Sequence, residues 1–112
     1  MQKGAIVTLL DDNFETEVFQ SKMPFLVKIG AIWSGSCHIM APILRNLALE
    51  YHKQIKIGSF DIKTDEITAR EYGITELPIL LIFKGGELFS HLIGMVPKTV
   101  IQTRIDNVLG EN

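Results

Sequence analysis

Two runs of consecutive apolar residues constrain this chain more than any other feature. Phe25-Leu26-Val27-Lys28-Ile29-Gly30 is apolar except at Lys28, and Ile79-Leu80-Leu81-Ile82-Phe83 is apolar throughout. Neither alternates and both are too short for ordinary helices, so they predict strands buried on both faces. Such strands need cover above and below, which points to an α/β layer structure. The segment between them supplies one cover. Met40, Ile43, Leu44, Leu47, Ala48 and Tyr51 recur at helical spacing and predict a long amphipathic helix from about Cys37. Pro42 falls inside it, where it removes one ladder bond and is expected to kink the axis.

The remaining elements follow from local signals. Ala5–Leu9 suits a short strand. Asp12 reads as the N-cap of a first helix, with Glu15 closing a capping box and the helix running to about Gln20. Residues 55–62 alternate in part and predict a third strand. Thr64 or Asp65 caps a short helix through Tyr72, which Gly73 stops. Gly85-Gly86 is a two-residue turn leading to an antiparallel partner strand at Leu88–Ile93. Pro97 fits the first turn of a last helix whose apolar face is Ile101, Ile105, Val108 and Leu109, and Gly110 ends it. The order β-α-β-α-β-α-β-β-α implies a mixed central sheet flanked by helices on both faces. No repeat, linker or low-complexity stretch interrupts it, so residues 1–112 are expected to form a single α/β domain.

Composition narrows the function classes. A chain of 112 residues buries roughly two-thirds of its unfolded surface, enough for a core without disulfide staples. The formal net charge is −2 and the Lys and Arg residues are scattered, which argues against nucleic acid or an anionic membrane as partner. The longest apolar run, Leu77–Phe83, falls far short of the roughly 20 residues that span a bilayer. The N-terminal residues show no signal-peptide core, so export is not expected and a reducing cytoplasm is the expected compartment. A single cysteine, Cys37, excludes a disulfide framework and a Cys-rich metal site. His38, His52 and His91 have no ligand spacing, so neither metal nor cofactor is expected.

The loop Trp33-Ser34-Gly35-Ser36-Cys37-His38 carries the chemistry. A thiol in the first turn of a helix lies near the positive end of the macrodipole, which favours thiolate. A quiet core thiol is the plainer reading of a lone cysteine. At this point the chain resembles the thioredoxin family, whose pattern is W-C-G-P-C followed by a helix containing proline. Ala31 through Leu44 matches that segment, and Tyr72-Gly73-Ile74-Thr75-Glu76-Leu77-Pro78 matches the family's Y-G-I-x-x-x-P with its cis-proline. Leu80 through Leu88 and Gly94 continue the match in order. The resemblance implies the thioredoxin fold over essentially the whole chain, and thiol–disulfide chemistry.

The family reduces disulfides with two thiols three positions apart, the first attacking and the second resolving. Here Ser34 stands at the attacking position, and a hydroxyl without an adjacent base is a poor nucleophile. Ser34 also suits the N-cap of the long helix. Cys37 holds the resolving position, so one cysteine puts the enzyme's two-thiol cycle out of reach. The family's buried Asp and its Lys partner correspond to Lys28 and Ser59. An interior Lys28 must find a carboxylate, Asp61 being a candidate, or extend its ammonium to solvent. Lys28 and Ser59 are thus candidate modulators of Cys37, and His38 sits beside the thiol in sequence.

The same resemblance places a groove for extended client segments at Trp33, Ser34, Gly35, Ser36, Leu77, Pro78, Gly94 and Met95. Glu76, where the family carries a small residue, would alter what docks there. The expected function is a thioredoxin-like protein of cellular thiol–disulfide homeostasis. It would bind client proteins, form at most a single mixed disulfide through Cys37, and have a thioredoxin-reductase-like protein as a further candidate partner. One alternative is a redox-silent docking or chaperone module. Another is a disulfide reductase with Ser34 engineered in place of cysteine, against which the altered Lys28 and Ser59 pair argues.

Overall fold

The strands are β1 (Val7–Thr8), β2 (Phe25–Gly30), β3 (Lys56–Asp61), β4 (Ile79–Lys84) and β5 (Glu87–Ile93). In the computed structural model, which describes residues 4–110, they form one mixed sheet in the order β1-β3-β2-β4-β5. β3 runs parallel to both β1 and β2, while β4 is antiparallel to β2 and β5. The long helix is α1 (Gly35–Glu50), followed by α2 (Glu66–Glu71) and α3 (Lys98–Leu109).

The apolar run of β2 is buried on both faces, as its composition demands. On one face Leu26, Ile57, Leu80 and Ile82 meet Met40, Leu44 and Leu47 of α1 and Ile101, Ile105 and Val108 of α3. On the other, Phe25 and Val27 pack with Leu9, Val18 and Phe83. α1 continues through Pro42 from Gly35 to Glu50, although the ring deprives the His38 carbonyl of its helical donor. Gly85 and Gly86 both have positive φ, +59° and +82°, as a two-residue hairpin turn requires. A Cβ on Gly86 would also lie 2.8 Å from the Phe19 carbonyl oxygen.

The first helix differs from its sequence signature. Asp12 does not cap it, and the helical turn is a π-helix at Glu15–Phe19 preceded by Phe14 without a side-chain cap. Asn13 organises the entry instead. Its Oδ1 accepts from the Leu10 N–H at 2.7 Å and its Nδ2 donates to the Thr8 carbonyl at 3.0 Å. In an α-helix Phe14 and Phe19 would point about 140° apart. The wider π turn brings both rings to the sheet, 5.5 Å from each other, with Phe14 edge-on to Phe60 at 5.9 Å and Phe19 to Phe83 at 5.4 Å. Of the two residues offered as the cap of α2, Asp65 serves, accepting from the Thr68 N–H at 2.8 Å. One other boundary shifts slightly. Pro97 occupies the extended cap position before α3 rather than its first turn. Among the described residues no helix is long and apolar enough to cross a membrane.

α1 and α3 are joined at their ends by polar contacts. Lys98 and Gln102 both donate to the Glu50 carboxylate, and the Tyr51 hydroxyl donates to Asp106 Oδ1 at 2.8 Å. Burial, then the Asp106 carboxylate, pushes the Tyr51 hydroxyl up to about 12. An unfolded tyrosine loses its proton near pH ~10, so above that pH the unfolded chain binds fewer protons than the native one. The Tyr51 contribution is therefore constant below about pH 10 and is lost as pH rises toward about 12. Urea unfolding across that window should show a fall in stability that Tyr51→Phe flattens; an identical slope in the variant would exclude this bond as its source.

Candidate functional site

β2 ends at Gly30, and the chain passes through Ala31-Ile32-Trp33 into α1. Ser34 adopts extended geometry, and its Oγ accepts from the Cys37 N–H at 3.3 Å. Its own N–H donates to the Ala31 carbonyl at 3.1 Å. The Ser34 hydroxyl is thus engaged as a helix cap, only 9% exposed, and no basic side chain among the described residues bonds to it. Cys37 lies in the first turn of α1 and is 4% exposed. It forms a small apolar cluster with Ala31 and Leu77, against which Trp33, Ile62, Ile74 and Ile79 pack. The His38 ring is committed elsewhere, its Nε2–H donating to the Ile32 carbonyl at 2.8 Å.

Gly30 makes room for the sulfur. A Cβ at this position would lie 2.9 Å from Cys37 Sγ, 3.3 Å from Lys28 Cε and 3.4 Å from Asp61 Oδ1. Thiol, lysine stem and carboxylate therefore converge on the space of one absent side chain. The expectation that Asp61 pairs with Lys28 is not met, because no ion pair joins them. The strand register explains this. Lys28 stands opposite Ser59, whereas Asp61 stands opposite Gly30, two residues farther along. Lys28 is half-buried, and among the described residues no fully buried side-chain nitrogen lacks a partner, so its ammonium keeps access to solvent.

Above Cys37 opens a cleft of about 450 Å³. Trp33, Ser34, Gly35 and Ser36 form one wall, and Leu77, Gly94 and Met95 form the other. Glu66 and Arg70 of α2, an ion pair at 2.9 Å, close one end together with Glu76. The Trp33 ring is held by its Nε1–H, which donates to the Thr64 carbonyl at 2.8 Å. The Leu77–Pro78 peptide bond is cis. The Pro78 carbonyl accepts from the Gly94 N–H at 2.8 Å, tying the Gly94–Met95 loop to the wall, and Met95 is 53% exposed.

Eight of the residues singled out in sequence, Glu76 among them, thus meet in one cleft, while Pro78 and Cys37 are buried beneath it. Lys28 and Ser59 lie elsewhere, lining a separate cleft against α1. Sequence reasoning missed Gly30, whose signal was a glycine ending a buried strand, a frequent mark of close approach. It also missed the Glu66–Arg70 pair, which only the docking of α2 brings to the site. Among the described residues no group of three or more His, Cys, Asp or Glu side chains is placed to hold a metal ion.

A parallel β-α-β half and an antiparallel β-β-α half share this sheet, with the capped start of α1 at their junction; this is the thioredoxin fold. The chain belongs to the thioredoxin family, whose Thioredoxin model matches residues 5–107. It is similar to the thioredoxin of Acidithiobacillus ferridurans, at 37% identity over 105 residues covering 94% of this chain and 97% of that protein. Thioredoxin 1 of Synechococcus elongatus is 36% identical over 109 residues, covering 97% of this chain and all of its own length (100%). The thioredoxin of Buchnera aphidicola subsp. Schizaphis graminum is 39% identical over 101 residues, 90% of this chain and 94% of that one.

The contact at Gly30 is testable. Gly30→Ala forces a methyl group against Cys37 Sγ and should destabilise the protein by about 1–3 kcal/mol. Cys37→Ala removes the obstructing sulfur, so the double variant should recover at least about 1 kcal/mol relative to additivity. Strict additivity in chemical denaturation would mean that the two side chains do not compete for that space.

Proposed function

We propose that this protein is a client-binding member of the thioredoxin family in cytoplasmic thiol–disulfide homeostasis, with the attacking thiol replaced by the capping hydroxyl of Ser34. The observation that carries this reading is the single cleft formed by Trp33, Ser34, Gly35, Ser36, Leu77, Gly94 and Met95 over a buried Cys37. An extended client segment fits such a cleft. The backbone N–H and C=O of Leu77 make no hydrogen bond to any described residue, leaving them for a client strand. Trp33 and Met95 offer apolar contact on either side.

Covalent chemistry is confined to one step. The Cys37 thiolate would attack a client disulfide, bond to one client sulfur and release the other as thiolate. With no second thiol in the chain, an external thiol must then displace the client to regenerate Cys37. A thioredoxin-reductase-like protein remains a candidate partner for docking at the same face. The burial of Cys37 favours a second reading, a docking or chaperone module that performs no redox step. Intact mass after incubation with oxidised glutathione separates the two: a Cys37 adduct supports the mixed-disulfide step, and an unmodified native chain supports docking alone.

Trp33 is the sole tryptophan, so intrinsic fluorescence reports on the cleft directly. Titration with extended peptides should shift Trp33 emission, and Met95→Ala should weaken binding about tenfold, or ~1.4 kcal/mol. Insulin reduction by dithiothreitol should be no faster with this protein than without it, because the two-thiol cycle is missing. Catalysis by the parent chain would overturn that argument, and flat emission with every peptide would overturn client binding.

A further inference from the structure

A cleft of about 450 Å³ lies between α1 and the β1–β3–β2 side of the sheet and shares no lining residue with the cleft between Ser34 and Met95. Lys28 and Arg45 both line it, together with Thr8 and Ser59, over an apolar floor that includes Leu44 and Ile57. Among the described residues no Asp or Glu lines it, although the chain as a whole carries a net charge of −2. Neither cation forms a hydrogen bond or ion pair among the described residues, and the side-chain hydroxyls of Thr8 and Ser59 are likewise without protein partners there. Asp61, whose Oδ1 approaches the same Gly30 space as the Lys28 stem, does not line this cleft; it lines a neighbouring one that shares Thr8 and Ser59.

A lysine without an ion-pair partner leaves its positive potential unbalanced, and a second cation lining the same cleft adds repulsion. An oxyanion removes both penalties and gains charge-assisted hydrogen bonds, for which a guanidinium, an ammonium and two hydroxyls are suitable donors. The volume is that of a small-molecule pocket, and the Leu44 and Ile57 floor accepts a short apolar body. We propose that this cleft binds a small molecule bearing a carboxylate or phosphoryl group, with the oxyanion between Lys28 and Arg45. The site depends on Lys28 lying on the central strand. Its stem approaches the Gly30 space that Cys37 Sγ also occupies, so the ligand would lie one side chain away from the thiol.

The test is a titration of the full ¹⁵N-labelled chain with inorganic phosphate and, separately, with butyrate, using sodium chloride as the ionic-strength control. Saturable shifts confined to Thr8, Lys28, Arg45, Ser59 and their neighbours support the site. The tighter probe assigns the headgroup. Arg45→Gln, at an exposed position where folding is not at stake, should weaken binding about tenfold, the scale of one charge-assisted hydrogen bond. Lys28→Met should do the same while keeping a dispersed spectrum, and Lys28→Arg should retain binding. Shifts matched by chloride, shifts spread over the other lysines and arginines, or an affinity unchanged in Arg45→Gln would each overturn the proposal.

Discussion

The burial of β2 is the constraint on which the rest of the molecule depends. Its backbone is paired on both edges, by β3 in parallel and by β4 in antiparallel register, and Phe25, Leu26 and Val27 are fully enclosed. A strand so placed has no freedom to slip, since a one-residue shift would exchange the two cores on its faces. Everything functional hangs from its carboxyl end. Gly30 leaves space for Cys37, Ala31 packs against the thiol, and Trp33 is delivered to the cleft at a fixed distance from the start of α1.

The site also shows how the backbone around a side chain commits it. The Ser34 oxygen is consumed in capping α1. The Cys37 sulfur is enclosed by Ala31 and Leu77 rather than presented in the cleft. Lys28 and Ser59 line the cleft beneath α1, and the Lys28 stem also approaches the Gly30 space beside Cys37 Sγ.

Much of this was legible in the residues themselves. Continuous apolar runs marked β2 and β4, helical spacing marked α1 and α3, and Gly85-Gly86 marked the hairpin between β4 and β5. The groove residues were found because a motif match places them in order along the chain, though they lie far apart in sequence. The first helix was misread because Asp12 and Glu15 satisfy a local capping rule. The actual turn is decided by where Phe14 and Phe19 must stand to reach Phe60 and Phe83. Asp61 was a reasonable partner for Lys28 by sequence distance, and strand register placed it opposite Gly30 instead.

The sequence alone determined the layer order, the family resemblance and the presence of a single thiol, since these follow from hydrophobic period, motif order and a count of one cysteine. Only the tertiary structure decided that Cys37 is enclosed and that Lys28 and Arg45 share one cleft. The division has a physical cause. Periodicity reports which face of an element is buried, whereas the fate of a charge or a thiol depends on atoms contributed by elements distant in sequence.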